Sequence, residues 1–128
     1  MYRLAAVSDL EELQPVVVTL DGRDIAVVRI RGDVHAFSAT CSHRAAPLVD
    51  GAVTWKHTIL CPWHLGTFNL RTGAAMAGPP HEPIPIYPIA IVDGVVYLDA
   101  EPESLPMFEH RFPHAVAVGD RTDSTRAT

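Results

Sequence analysis

The segment from Cys41 to His64 constrains this chain more than any other. It opens with Cys41-Ser42-His43 and closes with Cys61-Pro62-Trp63-His64, so each arm offers one thiolate and one imidazole. Residues 44 to 60 separate the arms, enough for a strand or two that bring them together. Two Cys and two His can bind a tetrahedral zinc, but zinc fingers usually place both Cys on one arm and both His on the other. Mixed arms suit a two-iron cluster in which two Cys hold one iron and two His hold the other. The bland alternative is a pair of buried core cysteines. Two His placed two and three residues after two Cys make that a poor reading.

The elements around this segment are short. Residues 2 to 7 read as a strand, and Ser8 to Glu12 as a turn or one-turn helix capped by Ser8 or Asp9. Pro15 to Leu20, Asp24 to Arg31 and Val34 to Ser38 read as a three-strand meander turned at Asp21-Gly22 and Gly32-Asp33. Ala52 to Trp55 and Thr58 to Leu60 read as strands around Lys56-His57, and Thr67 to Leu70 as another, turned at Thr72-Gly73. Pro79 to Pro88 holds five prolines and is expected to be extended, largely outside any ladder interior. Ile89 to Val92 and Val95 to Asp99 form a closing hairpin over Asp93-Gly94. Many short strands without a convincing long helix predict a small all-β sandwich or barrel.

A chain of 128 residues is one domain by length. The expected division is a folded unit at 1–100 and a C-terminal extension at 101–128. Pro102, Pro106 and Pro113 interrupt the extension, and its polar end reads as disordered. Phe108, Phe112 and Val116 are its candidate anchors. A net charge of −5 disfavours nucleic acid or an anionic membrane as partner, since both call for basic patches, and permits docking on a basic protein surface. No apolar run approaches a membrane span, and Met1 to Ala5 begins no apolar h-region. The expectation is a soluble, cytoplasmic protein. Both cysteines lie in the motif, which leaves no pair for a disulfide and suits a reducing compartment.

Cys41-Ser42-His43-Arg44-Ala45-Ala46-Pro47-Leu48 and Cys61-Pro62-Trp63-His64 resemble the two cluster-binding loops of the Rieske [2Fe–2S] family. Asn69-Leu70-Arg71-Thr72-Gly73 and Gly78-Pro79-Pro80 are similar to its downstream segments, the latter to its proline loop. The resemblance covers roughly residues 2 to 99. It implies an antiparallel β-sandwich with an inserted cluster-binding lobe, and one [2Fe–2S] cluster per chain. Cys41 and Cys61 would hold the inner iron, and His43 and His64 the outer one. Respiratory members carry two further Cys that staple the loops. This chain has Ser42 and Trp63 at or near those places, which points to the soluble ferredoxin-type or oxygenase-associated branch.

The resemblance also sets the expected potential. High-potential relatives place hydroxyls five and seven residues after the second Cys, where they donate to the cluster and its ligand sulfur. Those positions here are Gly66 and Phe68. Without such donors the reduced cluster is less stabilised, and the midpoint falls to the low end of the Rieske range, about −150 mV. Thr67 is a substitute donor by position. The family's usual Gly after the second His is replaced by Leu65, which moves the expected turn onto Gly66. Gly78-Pro79-Pro80 reads as a rigid turn on its own chemistry and as a lid over the cluster by resemblance. His57 and His81 read as ordinary surface residues. His110 and His114 have the spacing of a helical metal pair, but Pro113 between them makes tail residues the better reading. Trp63 reads as loop packing. Arg44 reads as a solvated charge placed where a partner would dock.

The implied function is one-electron transfer without bond chemistry, hence not an enzyme. Oxygenases similar at this domain add a mononuclear iron in a second domain, for which 128 residues leave no room. The leading expectation is a free-standing ferredoxin. It takes electrons from a flavin-dependent NAD(P)H reductase and delivers them to a terminal oxygenase, by transient docking near His43 and His64, as a monomer or weak oligomer. Two alternatives stay open here: the small Rieske-like subunit of a nitrite reductase, and a non-redox zinc module using the same four side chains.

Overall fold

The computed structural model describes residues 1–41, 47–62, 66–77, 83–106 and 116–117. Twelve short strands run through them: β1 (Tyr2–Ala6), β2 (Val16–Leu20), β3 (Arg23–Ile30), β4 (Asp33–Ser38), β5 (Ala52–Thr54), β6 (Thr58–Leu60), β7 (Thr67–Asn69), β8 (Ala75–Ala77), β9 (Ile86–Tyr87), β10 (Ile89–Val92), β11 (Val95–Leu98) and β12 (Val116–Ala117). Three single 3-10 turns complete the regular structure, and there is no α-helix among the described residues. The strands form an outer sheet ordered β1-β11-β10, a middle sheet ordered β12-β2-β3-β4-β9, and a lobe sheet ordered β5-β6-β7-β8. The lobe is inserted between β4 and β9 of the middle sheet. No described helix is long and apolar enough to cross a membrane.

The middle sheet is buried on both faces, which explains why β3 reads as an almost unbroken apolar run. Ile25 and Val27 pack with Tyr2, Leu4, Val96 and Leu98 of the outer sheet. Ala26, Val28 and Ile30, on the other face, pack with Ile59, Phe68 and Leu70 of the lobe. Period-2 alternation therefore sorts a single strand between two cores. Truncating a large side chain fully enclosed in such a core, such as Phe37 or Phe68, costs about 3–5 kcal/mol.

Three two-residue hairpin turns share one chemistry. Asp21-Gly22, Arg31-Gly32 and Asp93-Gly94 each have positive φ at both residues. This is the type I′ geometry whose twist matches the flanking strands, and glycine at the second position adopts it without steric cost. The second turn sits one residue earlier than the sequence suggests, so Asp33 begins β4 rather than turning into it.

Other elements differ from expectation. The turn at Val7–Asp9 is preceded by Ala6, which caps it without a side-chain hydrogen bond, so neither Ser8 nor Asp9 is the cap. Strand β8 was not anticipated, because Ala75-Met76-Ala77 shows no β-branched residue and no alternation. Part of the Pro-rich stretch does enter a ladder: Ile86 and Tyr87 pair with Phe37 and Ala36 at the edge of the middle sheet, an edge position being where flanking prolines are tolerated. In the extension, Pro102 and Leu105 are buried and Tyr2 Oη donates to Glu101 Oε2 at 2.8 Å. Val116 and Ala117 run parallel to β2 opposite Val18 and Thr19. Phe108, Phe112, His81, His110 and His114 lie outside the described residues, as does the expected disordered end.

Candidate metal centre

Cys41 follows β4 and Cys61 follows β6, so the strand ends of two different sheets deliver the two thiols. Both side chains have 0% exposure, and both belong to the single core cluster between the middle sheet and the lobe, with Phe37, Leu48, Ile59 and Phe68. Neither forms a disulfide. His43 and His64 lie outside the described residues, as do Arg44, Trp63, Leu65, Gly78, Pro79 and Pro80.

The approach to each cysteine is tied down by hydrogen bonds. Before Cys41, the buried Ser38 hydroxyl donates to the Thr40 carbonyl at 2.8 Å and accepts from the Thr40 amide at 3.3 Å. The Ala39 amide donates to Asp24 O, and the Val49 amide returns to Ala39 O. Burial pushes the neighbouring Tyr87 phenol up, while its hydrogen bond to Ser38 pulls it partly back. After Cys61, the chain closes on itself: the Cys61 amide donates to Gly66 O at 2.7 Å. Gly66 thus ends the second loop, while the expected shift of the turn rests on Leu65, outside the described residues.

Two glycines pin the lobe through close approach. A Cβ on Gly51 would stand 1.9 Å from Leu60 O, and one on Gly73, at φ +82°, would stand 2.2 Å from Ile84 O. The first lets the chain leaving loop one cross the strand that enters loop two. The second lets the lobe return to the middle sheet, where the Ile84 amide donates to Gly73 O at 2.9 Å.

The positions that the resemblance singles out for the sulfur environment, Gly66 and Phe68, are among the described residues. Phe68 is enclosed in the same core cluster as both cysteines, with a ring where high-potential centres would offer a hydroxyl. Thr67 does not replace it. Adjacent strand residues point to opposite faces, and Thr67 lines a groove on the outer face of the lobe sheet with Ala52, Thr58 and Leu60.

Sequence reasoning missed one polar cluster. His57 is not a surface residue: it is 6% exposed, in the β5–β6 turn at φ +60°. Its Nδ1 lies 2.8 Å from Nε2 of His35 on β4, with the rings edge to face. Its Nε2 is 3.9 Å from Asp33 Oδ2, which also lies 3.9 Å from Arg71. Burial holds His35 below the usual histidine range, with His57 and Arg71 acting in the same direction and Asp33 opposing them. The signal was available in the alternation of β4, which puts Asp33, His35 and Phe37 on one face, toward the lobe.

Comparison with known proteins decides what the buried cysteine pair belongs to. Residues 1–88 match the family model described as the Rieske [2Fe-2S] domain. The chain belongs to the Rieske [2Fe–2S] family. One [2Fe–2S] cluster is its cofactor, and the zinc reading of the same side chains gives way. The donor chemistry fits: two buried thiols, unbridged, in a pocket of apolar side chains.

The Rieske chain is 39% identical over 95 residues to the anthranilate 1,2-dioxygenase ferredoxin subunit of Burkholderia cepacia, covering 74% of this chain and 87% of that one. Among solved structures it matches the ferredoxin of Sphingomonas yanoikuyae B1 at 37% identity and a TM-score of 0.71, covering 77% of this chain and 97% of that one. A complex of reduced oxygenase and oxidized ferredoxin in carbazole 1,9a-dioxygenase matches at 29% identity and a TM-score of 0.69, with 75% of this chain and 98% of that one covered. The expected all-β Rieske fold with an inserted lobe stands. The chain is an electron-transfer protein of ferredoxin type rather than an enzyme.

Proposed function

We propose that this protein carries single electrons from a flavin-dependent NAD(P)H reductase to the terminal oxygenase of a ring-hydroxylating system. The observation that carries the reading is the burial of Cys41 and Cys61 in one core cluster, in a chain similar to the ferredoxin subunit of an anthranilate 1,2-dioxygenase. Cys41 and Cys61 are the ligands to the inner iron, and His43 and His64 the ligands to the outer iron. When bound, the [2Fe–2S] cluster supplies one-electron redox chemistry.

The protein's own residues do the rest. The core around the cysteines excludes water from the thiolates. The Ser38–Thr40 bonds fix the approach to the first loop and the Cys61–Gly66 bond closes the second, which limits local rearrangement when charge changes. Two neutral imidazole ligands keep the site less negative than four thiolates would.

The residues proposed for docking are His43, Arg44, His64, Leu65 and Pro79-Pro80, and a relative's complex with an oxygenase supports docking by this class of protein. Charge placement refines the kind of face it meets. Between Cys41 and Ala77 there is one acid, Asp50, against three bases, Arg44, Lys56 and Arg71. The net charge of −5 therefore resides outside the lobe, and the lobe itself does not call for a basic partner surface.

The test is turnover in a reconstituted system of reductase, ferredoxin and oxygenase with wild-type and His64→Cys protein. The variant is expected to retain a cluster of lower potential and to lose electron delivery. Unchanged turnover would refute the ligand assignment.

A further inference from the structure

Five alternate residues, beginning in the turn before β4 and continuing along the strand and past its end, fall on the side of the chain that meets the lobe: Arg31, Asp33, His35, Phe37 and Ala39. The last two join the core that holds both cysteines. The first three meet polar or aromatic groups of the lobe. Arg31 lies over the Trp55 ring at 4.9 Å from its centroid. Asp33 stands between His57 and Arg71. His35 Nε2 meets His57 Nδ1 at 2.8 Å. A polar seam thus continues the apolar core along the same sheet-to-lobe boundary.

The linking atom between the two imidazoles is a proton. Zinc–nitrogen bonds of 2.0–2.1 Å at a tetrahedral angle would spread the nitrogens to about 3.3 Å. No group of three or more His, Cys, Asp or Glu gathers for a metal among the described residues. With both rings neutral, one N–H donates to the other's lone pair. One added proton is accommodated: His57 then carries N–H at both nitrogens, Nδ1 donating to His35 and Nε2 facing the Asp33 carboxylate. A second proton is not, because Nε2–H of His35 and Nδ1–H of His57 would point at each other.

We propose that His35 and His57 form a proton-gated latch between the middle sheet and the cluster-binding lobe, closed while the pair holds at most one extra proton and opened by the second. The groups facing it come from every element packed there. For His35, burial and His57 disfavour the charged form, Asp33 on β4 favours it, and Arg71 from the β7–β8 turn opposes it. Lys56 precedes His57 in the β5–β6 turn, and Arg31 is engaged with Trp55. On β3 the residues that face the lobe, Ala26, Val28 and Ile30, carry no charge. The latch matters to the lobe because the His57 carbonyl accepts the Leu70 amide at 2.9 Å, and His57 leads directly into β6 and Cys61.

The experiment is hydrogen exchange by mass spectrometry on the cluster-loaded protein at pH 7.5 and pH 5, read in the peptide that contains Leu70 and corrected for the intrinsic pH dependence of exchange. Wild type is expected to lose protection about fivefold on acidification, the worth of one net hydrogen bond. His35→Gln, which keeps a hydrogen-bonding group but cannot titrate, is expected to change less than about twofold. His57→Asn serves as the second variant, since Asn tolerates the left-handed backbone there. Wild-type protection that is flat with pH, or an equal fall in wild type and in both variants, overturns the proposal.

Discussion

Gly51 lies against Leu60 so closely that a side-chain carbon on it would stand 1.9 Å from the Leu60 carbonyl oxygen. Two stretches that each border a cluster loop cross at this point without a side chain between them. The Leu48–Asp50 turn leads from the first loop, and Leu60 precedes Cys61 of the second.

Gly51→Ala is therefore expected to push β6 away from the turn. Its φ of −75° is open to alanine, so the cost is crowding rather than backbone strain. About 1–3 kcal/mol of stability should be lost, together with part of the iron content. Thermal unfolding and iron per chain, measured on the same preparation, check both; a fully loaded variant of unchanged stability would mean that the crossing can widen freely.

Cys41→Ser and Cys61→Ser should each abolish the cluster's visible absorption while the chain still folds. Both positions are already enclosed in apolar surroundings, and serine differs little in volume. Moving a hydroxyl from water into these apolar surroundings is expected to cost about 1–3 kcal/mol. A variant that keeps full iron content and an unaltered spectrum would remove that cysteine from the ligand set.

Much of this was legible before the structure. The two arms of the motif and the X-Gly turns at Asp21-Gly22 and Asp93-Gly94 are local chemistry, and local chemistry is what a sequence displays directly. β3 was legible as a strand, but not as the middle layer, because an apolar run does not say which face meets which partner. Ala75 to Ala77 became a strand by pairing with β7, a tertiary effect that overrides weak propensity. His57 was misread for the same kind of reason. Its burial depends on His35, which is distant in sequence and brought to it by the lobe folding back on the middle sheet.

Phe68→Tyr tests the account of the potential. A phenol at this position, if it donates to the ligand sulfur, is expected to raise the midpoint by about 40 mV, one net hydrogen bond of about 1 kcal/mol converted for a one-electron couple. Thr67→Val should leave the midpoint unchanged, because Thr67 lines the outer groove. Square-wave voltammetry on the two variants reads both. A shift for Thr67→Val and none for Phe68→Tyr would invert the assignment.

Acid sensitivity follows from His35. Its folded value is depressed, chiefly by burial, so between that value and the ordinary one of about 6.5 the unfolded chain binds the extra proton. Stability is full above about pH 6.5 and falls as pH drops through the folded value. His35→Gln should flatten that part of the decline. Melting temperatures from pH 5 to pH 8 check the sign, and a wild-type curve that rises on acidification would contradict it.

The most direct test of the central claim is voltammetry of the purified protein across pH. A single reversible one-electron wave near −150 mV, flat through neutral pH, is the predicted result for a low-potential Rieske ferredoxin without hydroxyl donors at Gly66 and Phe68. A midpoint well above zero that moves with pH near neutrality, or the absence of any wave, would contradict it.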